Sequence, residues 1–506
     1  MHRNPLLAIL LASTLTAAQP QPPLDPALSK ALAAIRPSEL KGDLSFLASD
    51  ALQGRYTPSP GLEVAAEFIA SKFRAFGLQP GGDHKDYFQL APMVDRKLPK
   101  ATTALTAKNS DKPITVEPAN IAITKSSTAA DITDAPVLKI TDRDPEKLKN
   151  LDLTGKVILA PALDYAAIPA DDRMAVALKS RAFDKVIAES KALLELIASK
   201  TPRHGPDSSF LYAEDAAVPA PPVVVVNSPE LAEALSTPDP MTLSFNVPAP
   251  IDQTVTVKNV IGILRGTDPQ LKSTCLLVTA HYDHIGTTET AAGLTEGKPS
   301  ETDHIYNGAN DDGSGTVSVI EIARALSTLH PKRSIVFITF FGEERGLLGS
   351  TWYGRHPVFP IAKTVADINL EQVGRTDSSE GPEIANASLT GYDYSTVTQY
   401  LEAAGKRTGI TIYKDDTASD QYFVRSDNAA LAEQGVPAHT ITTAFEYPDY
   451  HGLGDEWQKI DYDNMAKVDR TVALAVLNIA NSETAPAWNT ANPKTKPFRQ
   501  ARSRQN

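Results

Sequence analysis

Cysteine is almost missing from this chain: Cys275 is the one thiol among 506 residues. An internal disulfide framework is therefore excluded. Cys275 falls in an apolar run that reads as a buried strand, where a small thiol packs as a hydrophobe. Positive charge is also in deficit. Lys and Arg number 49 against 61 Asp and Glu, a net charge of −12, and no basic stripe marks the folded part. That balance argues against a nucleic-acid surface. No internal repeat is evident, and a run long enough to cross a bilayer, ~20 apolar residues, is lacking too. The apolar run from Pro5 to Ala18 falls short of it, follows a basic M-H-R-N start and ends in the small residues Thr16, Ala17 and Ala18. These features predict an export signal over residues 1–18, cleaved after about Ala18, with a retained anchor as the alternative that its length disfavours. A periplasmic or secreted protein with no further membrane segment is expected, since export without disulfides is compatible with a periplasm.

What is present looks like an ordinary globular chain, 42% hydrophobic and 22% charged, and too long for one core. After a Pro-rich lead-in over 20–30, the pattern from Ile35 to Gly82 is helical, with Val64, Phe68, Ile69, Phe73 and Phe76 proposed as one apolar face and Gly77 as the stop. Residues 89–250 change character. Short β-like runs such as A-P-V-L-K-I and P-P-V-V-V-V-N are interrupted by a helix-like stretch from Arg181 to Lys200, so this reads as a β-rich domain inserted into the first. From Val255 apolar strands alternate with amphipathic helices to about Asn481, the pattern of a doubly wound α/β sheet. The core domain is thus expected over 27–88 and 251–481, and the polar residues 482–506 as a disordered tail.

Chemistry gathers at the ends of the predicted strands. C-L-L-V-T-A-H-Y-D-H carries His281 and Asp283; S-I-V-F-I-T-F-F runs into G-E-E with Glu343 and Glu344; V-A-D-I-N-L-E-Q-V-G carries Glu371. Between the first two, N-G-A-N-D-D-G-S-G-T sets Asp311 and Asp312 in a Gly-rich turn opening a helix, and D-Y-H places Tyr450 and His451 in a later loop. Taken singly these are weak, since Asp-Asp before Gly-Ser-Gly is commonly a helix cap and Gly-Glu-Glu a solvated turn. Together, two histidines and several carboxylates at strand ends are the ligand set of a hydrolytic zinc site.

In this order and spacing, A-H-Y-D-H-I-G, Y-N-G-A-N-D-D-G-S-G, F-F-G-E-E-R-G-L-L-G-S and D-Y-H resemble the di-zinc exopeptidases, the family of secreted bacterial leucyl-type aminopeptidases, glutamate carboxypeptidase and the glutaminyl cyclases. L-Q-G-R…G-L-E-V-A-A-E-F-I…G-L-Q-P is similar to that family as well, and the insert, with L-T-G-K-V-I-L-A and P-P-V-V-V-V-N-S-P-E-L-A-E-A-L, resembles its protease-associated domain. The resemblance implies two Zn2+ ions: His281 and Glu371 on the first, His451 and Glu344 on the second, with Asp311 bridging. It implies Asp283 as the group orienting His281, Glu343 as general base and Tyr450 as an oxyanion partner. Arg425, in R-S-D, would lie near the bound substrate; a surface arginine paired with Asp427 is its other reading. His284, His304 and His439 take no ligand role in that pattern.

Two departures stand out. Glu371 occupies the place of the family's Asp, in N-L-E-Q-V-G where Asn-Leu-Asp precedes a Met-hydrophobic-Gly ending, and Asp367 is a substitute ligand to weigh against it. R-S-D-N-A-A replaces R-S-D-H followed by an aromatic, so Asn428 and Ala430 would alter a pocket wall. The expected activity is an aminopeptidase cutting the N-terminal peptide bond of peptides through a zinc-bound hydroxide. The acidic lining, able to hold a substrate ammonium, tilts direction toward the free N-terminus. A carboxypeptidase, a one-zinc glutaminyl cyclase or a non-catalytic binding module on the same fold are the alternatives.

Overall fold

Strands that read as unbroken apolar runs end up covered on both faces, which is where parallel strands are stable. In the computed structural model Ala438–Thr442, Thr364–Leu370, Cys275–His281 and Ser334–Phe340 lie side by side in that order, all parallel. Their common direction brings four carboxyl ends to one edge. Antiparallel strands flank them: Ile251–Leu264, Phe88–Lys97 and Ser208–Tyr212 on one side, Asn386–Leu389 on the other, with Thr411–Tyr413 beyond it. The structure describes residues 23–109, 112–164, 167–201, 207–291, 295, 302–378 and 381–505, so the expected signal over 1–18 lies outside the described residues. No helix among them is long and apolar enough to cross a membrane.

Helices cover both faces of the sheet, as a doubly wound α/β fold requires. Pro37–Leu47, Pro60–Ala75, Gly315–Leu326 and Tyr462–Asn481 pack one face around Leu276, Val278 and Ile335. The other face buries Cys275, Leu277 and Val336 under Leu348–Arg355, Asn428–Ala432 and the C-terminal segment. Burial pushes the Cys275 thiol up to about 12, so it is inert as a nucleophile. The 20-residue helix Tyr462–Asn481 starts where the Asp461 carboxylate accepts from the Asn464 amide at 3.0 Å, a side-chain N-cap. Residues Leu105–Val247 form a second, eight-stranded mixed sheet with its own apolar core, in the order Lys112–Val116, Leu105–Asn109, Met241–Val247, Ala130–Lys139, Val157–Pro161, Leu194–Ser199, Val223–Asn227, Ile121–Lys125.

Four local expectations are corrected. The buried face of Pro60–Ala75 is Leu62, Ala65, Ala66, Ile69, Ala70 and Phe73, while Val64 is 47% exposed; the small alanines let this helix approach the sheet closely. Arg181–Lys200 is not one helix. Ala170–Ala188 is helical, but Leu194–Ser199 is a strand between Val157–Pro161 and Val223–Asn227, because a short apolar run flanked by two parallel partners is buried best in extended form. The insert expected over 89–250 gives Phe88–Lys97 and Ser208–Tyr212 to the core sheet, where Ile251–Leu264 supplies the pairing edge. The tail, expected to be disordered over 482–506, folds back as helix Lys496–Gln505. Two aromatics anchor that polar segment: Trp488 stacks on Phe498 at 5.1 Å and donates its indole N–H to the Gly435 carbonyl at 3.0 Å.

Candidate metal centre

Three of the parallel strands deliver the chemistry. His281 is the last residue of Cys275–His281, and Glu371 directly follows Thr364–Leu370. Ser334–Phe340 continues through Gly342, whose φ of +68° turns the chain and sends Glu343 and Glu344 back over the sheet edge. Asp311 sits in the turn before helix Gly315–Leu326, and His451, itself at φ +49°, in the loop after Ala438–Thr442.

These side chains converge on the Asp311 carboxylate. His281 Nε2 lies 3.4 Å from Asp311 Oδ1, and His451 Nε2 lies 3.1 Å from Oδ2. His451 Nε2 is also 3.2 Å from Glu344 Oε2. Two groups of donor atoms, each spanning no more than 4.8 Å, share Asp311: His281 with Glu371, and His284 with Glu344. Asp367 joins neither group. It is buried inside its strand, where its Oδ1 accepts from Thr279 Oγ1 at 2.9 Å. Glu371 Oε2 is buried with no hydrogen-bond partner among the described residues, and His281 Nε2 and Glu344 Oε1 face only other side chains of the cluster, Asp311 and His284. Atoms left so are costly unless a cation takes them, and a mixed imidazole and carboxylate set suits zinc.

Around this cluster a supporting layer fixes the ligands. Asp283 Oδ1 is 3.5 Å from His281 Nδ1 and accepts from the Glu343 amide at 3.1 Å, while its Oδ2 accepts from Thr57 Oγ1 at 3.0 Å. One carboxylate thus ties the orientation of the His281 ring to the backbone of Glu343. Asp455 accepts from the amides of Asn310 and Asp311 at 2.9 and 3.1 Å and from the Tyr447 hydroxyl at 3.0 Å, holding the Asp311 turn. Arg55 is fully buried beneath and donates to the carbonyls of Tyr282, Asn307 and Gly308 at 2.8–2.9 Å. Burial pulls its guanidinium down to about 10, partly offset by Asp283 and Asp455.

Charge in the cluster is divided. Burial opposes charging both histidines, yet Asp283 and Asp311 raise His281 well above its ordinary value, and Asp311 with Glu344 lifts His451 to about 11. Burial would raise Asp311, but the same histidines hold it well below the carboxylate range. Glu343 and Glu371 go the other way. Burial and neighbouring carboxylates push Glu343 well up and Glu371 to about 7.

The remaining expected residues line the approach. Tyr450 stacks on His451 with ring centroids 4.1 Å apart and faces a cavity of about 90 Å³ together with Glu343 and Arg425. Arg425 is exposed at the rim, its guanidinium 4.9 Å from the Tyr422 ring centre. Its expected partner Asp427 is instead buried, and no ion pair joins the two among the described residues. Asn428 is no pocket wall: it stands behind Thr440, whose hydroxyl it accepts at 2.8 Å. Ala430 lines a wider cavity of about 500 Å³ that runs from Glu343 and Glu344 to Arg181 of the second sheet's unit. His439 is a satisfied core histidine between Thr390 and Ser395. His284, expected to be bland, is not: its Nδ1 lies 2.8 Å from Glu344 Oε1. It, Arg55 and Asp455 escaped the sequence reading; the second histidine of H-Y-D-H was the one available signal.

A mixed α/β sheet carrying such an acid-and-imidazole cluster at its carboxyl edge is the architecture of a metal-dependent hydrolase. Residues 259–476 match the model described as Peptidase family M28. Aminopeptidase YwaD of Bacillus subtilis is 27% identical over 237 residues, covering 46% of this chain and 46% of that protein. A probable zinc metalloprotease of Pyrenophora tritici-repentis is 31% identical over 269 residues, covering 46% of this chain and 53% of that protein. The chain spans about half the length of these curated relatives. Among solved structures, the aminopeptidase from Aneurinibacillus sp. strain AM-1 superposes with a TM-score of 0.54 at 21% identity, covering 91% of this chain and 97% of that one, which is a likeness of fold.

Proposed function

We propose that this protein is an exported zinc aminopeptidase that removes residues from the free N-terminus of peptides. The observation that carries it is the Asp311 carboxylate, flanked by His281 on one oxygen and His451 on the other, with Glu371 in the donor group of His281 and Glu344 lying 3.2 Å from His451 and 2.8 Å from His284. Two zinc ions are assigned: His281, Asp311 and Glu371 would hold one, and Asp311, Glu344 and His451 the other. Bound there, they would polarise the scissile carbonyl and acidify a water. Glu343 takes the proton from the attacking water and delivers it to the leaving amine nitrogen; its buried, upward-shifted carboxyl suits a group that must both accept and release a proton. Asp283 holds His281 in orientation through the ring nitrogen remote from Asp311. Tyr450, packed on His451 at the cavity wall, is placed to donate to the oxyanion. The acidic end of the cavity, Asp311, Glu343 and Glu371, suits the substrate's ammonium group. The second, β-rich unit is assigned as a protease-associated domain, and the location as periplasmic or secreted.

Direction is tested by comparing a short peptide with its N-acetylated and C-amidated forms on the zinc-loaded protein. Acetylation should abolish hydrolysis and amidation should barely change it. Cleavage of the acetylated peptide with loss of activity on the amide would make the enzyme a carboxypeptidase.

A further inference from the structure

The cavities that border the metal centre are not equivalent. The one of about 90 Å³ holds the acidic end assigned to the substrate's ammonium, and it shares Glu343 and Arg425 with the wider one of about 500 Å³. Another, of about 340 Å³ over Tyr56 and Phe210, reaches Glu344 but not Glu343. Glu343 protonates the leaving nitrogen, so the chain that departs with that nitrogen starts in the wider cavity, where Glu343 borders open space. Resting on the aminopeptidase reading, we propose that this cavity is the channel for the leaving peptide. Its two arginines, Arg425 of the core and Arg181 of the inserted unit, select an acidic side chain on the residue directly after the cleaved bond.

Both units build the channel. Apart from Glu343 and Glu344, which are committed to the centre, the charged groups that line it are Arg425, Arg181 and Glu433. Arg425 is exposed, its guanidinium lies 4.9 Å from the Tyr422 ring centre, and no carboxylate pairs with it among the described residues. Arg181 reaches the channel from helix Ala170–Ala188, which packs against Ala418–Gln421, just before Tyr422. Its Nη1 lies 3.4 Å from Glu433 Oε1, and the two side chains are 66% and 43% exposed. A pair so long and so open to water holds its partners weakly, so Arg181 can turn to a substrate carboxylate at little cost. Two guanidinium groups against one carboxylate leave the channel positive. The unit that carries Arg181 is held in place, because Ser208–Tyr212 is a strand of the core sheet and the Arg345 guanidinium lies 4.6 Å from the Phe210 ring centre. The chain as a whole carries −12, which repels anionic peptides at long range, so a preference for acid is local to these two groups.

Glu and Gln are nearly isosteric, so Leu-Glu-Ala-Ala is compared with Leu-Gln-Ala-Ala, both as C-terminal amides so that the side chain is the only carboxylate. The N-acetylated Glu peptide is the control. The zinc-loaded wild type should favour the Glu peptide by ~3–10-fold in kcat/KM at low ionic strength, the scale of a partly screened charge pair, and by less at high ionic strength. Arg181→Gln should weaken that preference and Arg181→Glu should abolish it, with bound zinc and thermal unfolding unchanged in both. Lys185→Glu makes the same change of charge on the same helix outside the channel and should keep the preference. Equal or better cleavage of the Gln peptide by the wild type, a ratio unmoved in both Arg181 variants, or one that falls as far in Lys185→Glu overturns the inference and leaves the aminopeptidase intact. Hydrolysis confined to the acetylated peptide overturns the aminopeptidase reading and this inference with it.

Discussion

Replacing Glu343 by Gln separates its chemistry from the rest of the centre. The amide keeps the size and shape of the carboxylate, and the backbone amide of residue 343 still donates to Asp283 Oδ1 at 3.1 Å, so the ligands are undisturbed. What is lost is the proton acceptor. A positioned general base contributes ~10²–10⁴ in rate, equivalent to roughly 3–5 kcal/mol at the transition state. Zinc-loaded Glu343→Gln should therefore bind as much metal as the wild type and lose at least that factor in kcat. A second readout runs in the opposite direction. Burial first, then Glu371, Glu344 and Asp427, raises the folded-state pKa of Glu343 above its ordinary 4.5, against the pull of His281. The neutral form thus favours the fold: its contribution is complete below about pH 4.5 and is lost as pH rises through the folded value. Gln is neutral throughout. Metal-free Glu343→Gln should resist urea better than metal-free wild type at about pH 8, and the gap should close toward about pH 4. Metal content is read by elemental analysis, kcat on an aminoacyl substrate, and stability from the urea midpoint. Near-wild-type turnover in a fully loaded Gln variant would refute the assignment.

Glu371→Ala should lower bound zinc toward one ion per chain, because Glu371 and not Asp367 shares the donor group of His281 and Asp311; Asp367→Ala should leave the count unchanged, and the opposite result would misplace the ligand. Loading the metal-free protein at about pH 7 should release at least two protons per chain, since His281 and His451 are both raised above neutrality and must be neutral to ligate, and Glu371, raised to about 7, gives up its share as well. Calorimetry in buffers of different ionisation enthalpy counts them, and no release would contradict the charge state described for the two histidines.

How much of this was legible depended on whether a residue acts through its side chain at a strand end or through the main chain of another segment. His281, Glu344 and Glu371 each close an apolar run or the turn after it, so burial pattern and chemistry point to the same place. Arg55 and Asp455 bind carbonyls and amides of loops distant in sequence, a task with no spacing to read. His284 stands three residues beyond His281, and nothing in H-Y-D-H tells which ring reaches Glu344. The C-terminal segment misled for a compositional reason. Its polar majority reads as solvated, but Trp488 and Phe498 suffice to dock it against Phe423, and Arg502 then caps the carbonyls of Ile361 and Ala362. Leu194–Ser199 misled for lack of length, since an apolar run so short fits a helix end or a buried strand and only its neighbours decide.

The same division of labour explains how an acidic centre is held ready for cations. Carboxylates of Asp283, Asp311, Glu343, Glu344 and Glu371 crowd one edge of the sheet, and the buried cation beneath them does not neutralise any of them by a direct contact. Arg55 donates four hydrogen bonds, all to main-chain carbonyls: Leu47, Tyr282, Asn307 and Gly308. Two of those carbonyls lie in the segment carrying Asp311, and one separates His281 from Asp283. The guanidinium therefore fixes the distance between the two ligand-bearing segments and leaves their oxygens free for cations. Asp455 does the reverse, a carboxylate bound to backbone amides of Asn310 and Asp311. With positions set by main-chain bonds, the side chains proposed as ligands are already held together before any metal arrives.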